Sequence, residues 1–161
     1  LAALWNGSLS RALEMRDSDP KKVRDEALTL LAPAAAGDAA ALWKAVQKYM
    51  NFGRTGRETL RRAIEFHQLW LRDILRAQAG AEADLLVNDD REPAIRAEAA
   101  RTTPAEIRRR LMVLEEAQRS IDGNVTADLT LFSALGRVSS ASRAREWSGD
   151  WPPHAAPRWD Y

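Results

Sequence analysis

An all-α fold, a helical bundle of about five to seven helices, is what this chain predicts. Three observations lead there. Ala, Leu, Arg and Glu dominate its 161 residues while β-branched residues are sparse, a composition that favours helix over strand. Apolar residues recur every three or four positions over long stretches. Those stretches begin at Asp or Thr and end at Gly or Pro, the local chemistry of helix caps and stops. Apolar side chains make up 45% of the chain, enough for a packed core, and no strand signal or internal repeat competes with the helical pattern.

Residues 1–16 read as two short helices separated by Gly7-Ser8. Asp19-Pro20 opens the next helix, because an Asp accepts from the orphan N–H groups and Pro suits the first helical position. That helix is expected over residues 20–32, with Val23, Ala27, Leu30 and Leu31 on one face and Pro33 and Gly37 as its stop. Asp38 caps a helix to about residue 52, where Leu42, Val46 and Tyr49 share one side and Trp43, Val46 and Met50 a nearby one. Gly53 ends it. Thr55 and Glu58 match a capping box and open the longest helix, residues 56–79. Leu60, Ile64, His67, Leu71 and Ile74 form its stripe, and Ala63, Phe66, Trp70 and Ala77 widen it. A face that wide belongs to a central helix with several neighbours. Gly80 stops it.

Residues 81–91 read as a polar loop, with Asn88-Asp89-Asp90 solvated at its end. A short helix over 93–101 follows. Thr103, Pro104 and Glu106 start another, with Ile107, Leu111, Leu114, Ala117 and Ile121 in register up to Gly123. A tight turn at Gly123-Asn124 leads to Thr126, which caps a last helix bearing Leu129, Leu131, Phe132, Leu135 and Val138. From about Ser139 the periodicity dissolves. Trp147, Trp151, Trp159 and Tyr161 stand there among Pro, Ser, Arg and Asp, a composition open to disorder, to docking on the domain itself, or to a peptide ligand for a partner.

Several function classes find no residues to support them. With 24 basic and 23 acidic side chains the net charge is +1, which gives the domain no general attraction for nucleic acid. The absence of Cys removes thiolate catalysis and Cys-ligated zinc and fits a reducing, cytoplasmic setting. No apolar run approaches a membrane span, and no signal peptide is visible. The first residue is Leu, so the chain is expected to be a piece of a longer one. His67 and His154 are the only histidines, and His67, on an apolar stripe without metal-ligand spacing, reads as a core or boundary residue. Asn88-Asp89-Asp90-Arg91-Glu92 lacks the alternating ligands and the Gly of a calcium loop. Glu115 and Glu116 point about 100° apart and do not converge. Gly53-Arg54-Thr55-Gly56 could cradle an anion but lacks the Gly-Lys-Ser/Thr of a phosphate loop. Two basic clusters, Arg54/Arg57/Arg61/Arg62 and Arg108/Arg109/Arg110, read as solvated faces with local carboxylate partners, or as contacts to an acidic neighbouring subunit or DNA phosphates. No catalytic, cofactor-binding or metal-binding residue is assigned.

Leu1-Ala2-Ala3-Leu4, then Gly7-Ser8-Leu9-Ser10-Arg11-Ala12-Leu13-Glu14, resembles the end of the lid subdomain of a clamp-loader AAA+ module. Residues 67–90, through Trp70-Leu71-Arg72-Asp73 and Asn88-Asp89-Asp90, resemble the long helix and following loop of the delta-prime subunit family of bacterial DNA polymerase III. Residues 104–138, with Asn124 at the turn, resemble that family's last collar helices, so the likeness extends to about residue 140. In ATPase members a nucleotide-sensing arginine follows the Gly-Ser by two residues; Ser10 stands there, with Arg11 one place later, which implies a subunit that does not hydrolyse ATP.

The resemblance implies three segments: the end of a lid at 1–16, a helical collar at 17–140, and an aromatic tail at 141–161. It implies a non-catalytic assembly module whose partners are the other clamp-loader subunits, with DNA reached only indirectly and no membrane, cofactor or small-molecule substrate. The crowded apolar positions of the last two helices are expected to supply the subunit interface through Leu111, Leu114, Leu131 and Phe132, with Arg108 and Asn124 beside them. Three other readings remain open: the oligomerisation domain of a related AAA+ replication or repair ATPase, a helical enzyme using His67 with a nearby carboxylate, and a helical module that binds DNA directly.

Overall fold

Helix periodicity and caps carry through to seven α-helices and no strand among the described residues of the computed structural model, which are 20–50, 56–122 and 126–140. The helices are α1 (Pro20–Thr29), α2 (Leu31–Ala36), α3 (Ala39–Met50), α4 (Gly56–Gln78), α5 (Glu92–Arg101), α6 (Pro104–Asp122) and α7 (Ala127–Ser140). Two 3₁₀ turns, Ala83–Leu85 and Asp89–Arg91, lie between α4 and α5. The expected lid end at 1–16, the Thr55 cap, residues 53–55 of the anion cradle, Asn124, His154 and the aromatic tail lie outside the described residues.

The single helix expected over 20–32 is two. Pro33 has no N–H to donate and its ring crowds the carbonyl four residues back, so the chain turns at Leu30 and restarts at Leu31. Pro33 then falls in the first turn of α2, where neither defect matters. Gly37 closes α2 at φ 74°, and the Gly37 and Asp38 N–H groups donate to the Ala34 and Pro33 carbonyls. The Asp38 carboxylate accepts from the Ala41 N–H at 2.8 Å, the expected cap of α3. Gly80, at φ 82°, closes α4 in the same left-handed way. At α6 the Thr103 hydroxyl accepts from the Glu106 N–H at 3.2 Å.

The wide face of α4 places it at the centre, against α1, α5, α6 and α7, while α2 and α3 pack on α7. Its stripe is buried as expected: Leu60, Ile64, Leu71 and Ile74 meet Leu114, Ile121, Leu131 and Leu135 in one core. Each such side chain contributes on the order of 2 kcal/mol by leaving water. Trp43 of α3 stands edge-on to Phe132 of α7 at 5.4 Å between ring centroids. Side-chain hydrogen bonds add register: Gln68 donates to Gln118 at 3.2 Å between α4 and α6, and Gln47 to the Asp128 carboxylate at 3.0 Å between α3 and α7.

Two expectations change here. Residues 81–91 are not a solvated loop throughout: Leu86 and Asn88 are buried. Leu114 and Leu131, expected at a subunit interface, are fully buried within this domain, because they occupy the core-facing positions of α6 and α7. Leu111 and Phe132 are half-buried against the core, and Arg108 is exposed.

Candidate functional site

Two polar constellations are built on α4, one around Asp73 and one around His67. Asp73 is fully buried, and its carboxylate gathers four donors. The Val87 N–H and Arg76 Nη1 donate to Oδ1, both at 3.1 Å. The Asn88 N–H (2.8 Å) and Asn88 Nδ2 (2.7 Å) donate to Oδ2. Asn88 Oδ1 in turn accepts from Arg24 Nη1 of α1 at 3.2 Å. Arg24 is buried to 1% exposure and forks onto Asp90, Nη1 to Oδ1 and Nη2 to Oδ2, both at 2.8 Å. Its Nε and Nη2 also reach Asp25 Oδ1 at 2.9 and 2.7 Å, and Arg91 pairs with the other oxygen of Asp25. The Arg24 hydrogen bonds hold the Asp90 carboxyl below its ordinary pKa of 3.8, against a smaller opposing effect of burial. Every Arg24 donor nitrogen and both Asp73 oxygens are used. Such a knot fixes the 81–91 segment across α1 and α4 and leaves no group free for chemistry.

The second constellation lines a cleft of about 500 Å³. Its apolar wall is Leu31, Ala32, Ala35, Leu71, Leu114 and Val138; its polar wall includes His67, Glu98, Glu106 and Arg110. Arg110 bridges the two carboxylates, Nη1 to Glu98 at 3.1 Å and Nη2 to Glu106 at 2.8 Å. Glu98 also accepts from Trp70 Nε1 at 3.0 Å. Gln78 caps α5 beneath them by donating to the Ala99 and Thr102 carbonyls at 3.1 and 2.6 Å. His67 Nδ1 lies 2.6 Å from the Ala63 carbonyl, and Nε2 is buried without a hydrogen-bond partner. Burial pushes the imidazole pKa down to about 4, so the ring is neutral at pH 7. A carbonyl only accepts, so Nδ1 carries the proton and Nε2 the lone pair.

His67 is thus the buried residue its stripe predicts, yet it borders an opening and touches no carboxylate. A base without an orienting acid, beside carboxylates already bridged by arginine, is a poor general-base set. Among the described residues no group of His, Asp and Glu side chains could hold a metal ion, and no helix is long and apolar enough to cross a membrane. Glu115 and Glu116 are exposed, and Glu116 pairs with Arg137 at 2.9 Å. Of the basic clusters, Arg110 has the local carboxylate partners expected, Arg61 pairs with Glu58 at 3.2 Å, and Arg108 and Arg109 are exposed.

Sequence reasoning missed Arg24, Asp73 and Glu98 as members of constellations. It also missed the apolar side chains that are exposed: Met112 on α6 (67%), Leu129 on α7 (54%) and Leu85 (61%). Leu129 borders a groove of about 280 Å³ between α6 and α7, with Glu116, Ala117 and Arg137. The chain matches no family model, no curated protein and no solved structure.

Proposed function

We propose that this domain is a non-catalytic assembly module, the collar of a delta-prime-like subunit that joins clamp-loader subunits into the ring that loads the sliding clamp during DNA replication. The observation that carries the reading is where the resembling residues fall. Asp73 and Asn88 are separated by 15 positions, yet both are buried and, with the more exposed Asp90, join one hydrogen-bonded knot. A likeness carried by residues that fix an architecture supports a shared architecture better than one scattered over a surface.

Assembly needs apolar surface beyond the domain's own core. With Leu114 and Leu131 enclosed, that surface on the last two helices is Met112 and Leu129, with Leu111 and Phe132 half-buried and Arg108 near the start of α6. Partners are other subunits of the loader, and DNA is reached through them.

Size exclusion with light scattering tests this, on the chain alone and mixed with clamp-loader subunits of the same source. Entry of the chain into a larger complex on mixing is expected. A chain that ignores those subunits and forms its own stable oligomer sinks the proposal in favour of a related AAA+ replication or repair ATPase.

A further inference from the structure

The His67 cleft has an unmet chemical requirement. Its Nε2 offers a lone pair in an apolar setting, with no donor in reach. A buried acceptor left unpaired destabilises the fold, so such groups normally find a partner. The cleft carboxylates ask for nothing comparable, since Glu98 and Glu106 already hold Arg110 and Glu98 also takes the Trp70 indole. The rest of the lining is Trp70 and aliphatic side chains, with Arg101, Thr102 and Ser139 among them. What fits is a flat apolar body with one N–H donor, and a space of about 500 Å³ lies within the range of pockets that enclose such groups.

The chain itself supplies that chemistry next to the opening. Val138 and Ser139, near the end of α7, line the cleft, and residues 141–161 begin two positions later. They carry Trp147, Trp151 and Trp159. Trp147 lies eight positions after Ser139, a reach of up to about 28 Å. The other end of the chain is a worse source. It joins at Pro20, beside Lys21, which lies against Asp90 of the knot, and it holds a single tryptophan, Trp5.

We propose that the His67 cleft is the docking site for one indole of residues 141–161, whose ring N–H donates to His67 Nε2. The inference goes beyond the assembly reading and does not depend on it. Docking fills this cleft beside α4 and ties the end of the chain to α2, α4 and α6.

The test is solution NMR on the full chain labelled with ¹⁵N. Trp147→Phe, Trp151→Phe and Trp159→Phe assign the three indole N–H signals by removing each in turn. One of the three is expected to exchange with water at least about tenfold more slowly than the others. It should show a through-space contact to the His67 ring, and its protection should be lost in His67→Leu. The matching Trp→Phe variant should move the His67 Nε2 resonance, while the Trp43 signal, outside the cleft, stays in place to report an intact fold. Free-peptide exchange at all three indoles overturns the proposal. So do His67 ring signals unmoved in all three Trp→Phe variants, which leave the cleft to a partner's segment or to a small ligand, with added indole as the probe for the latter.

Discussion

Asp73 and His67 stand six positions apart on α4, about 9 Å along its axis, equally shut away from solvent and opposite in what surrounds them. The Asp73 carboxylate receives four donors and belongs to a network reaching Arg24, Asn88 and Asp90. His67 holds one backbone carbonyl and leaves its second nitrogen unmatched beside an opening. Burial alone therefore says little about role. Saturation separates a residue that holds the fold from one that waits for something.

The comparison breaks first at Asp73. Asp73→Ala leaves the half-buried Val87 N–H and both donors of the buried Asn88 without their acceptor. Removing one side of a buried charged network costs about 3–5 kcal/mol, and that loss is expected in the midpoint of urea unfolding. A loss under about 1 kcal/mol would mean that the segment relaxes into water and that the knot does not fix it.

Little of that knot was legible in the sequence. The helices were, because amphipathic period and caps are local: Leu60, Ile64, Leu71, Ile74 and Asp38 all sit where spacing places them. Arg24 lies on the same flank of α1 as Ala27, yet no hydropathy pattern marks a buried guanidinium. Asn88-Asp89-Asp90 reads as solvated because polarity is all that a sequence shows; its acceptor and donor, Asp73 and Arg24, lie 15 and 64 positions away from Asn88. The same blindness placed Leu114 and Leu131 at an interface. Apolar crowding on α6 and α7 was visible, but which side the core claims is a tertiary fact. The cleft was hidden for a similar reason, since its walls come from α2, α4, α5, α6 and α7.

Acid separates the two regions next. The His67 pKa is held near 4 in the folded chain against 6.5 when unfolded. A depressed folded pKa means that protons bind the unfolded chain more readily. The stability tied to a neutral His67 is therefore complete above pH 6.5 and drains away as pH falls toward 4, about 3 kcal/mol in all. His67→Leu should flatten the unfolding free energy over that window. Asp90 behaves differently, since Arg24 depresses its pKa below 3.8. Its stabilisation persists down to that pH and is lost only below it, a loss that Asp90→Asn removes. A single acid transition unaffected by His67→Leu would erase the distinction.

The smallest effect on stability is expected where neither region reaches. Met112 and Leu129 project from α6 and α7 with most of their surface in water, so replacing either with Asp removes little burial and leaves no buried group unpaired. The unfolding free energy should change by less than about 0.5 kcal/mol. That near-silence makes these positions useful. Leu114→Asp would abolish assembly simply by placing a charge in the core, whereas Met112→Asp and Leu129→Asp leave the domain intact and alter only what its outer face offers. If the collar proposal holds, both variants keep the native unfolding midpoint and lose entry into the larger complex seen by light scattering. Variants that assemble normally would move the interface off α6 and α7 altogether. Variants that unfold early would mean that these two helices lean on their exposed faces more than their burial indicates.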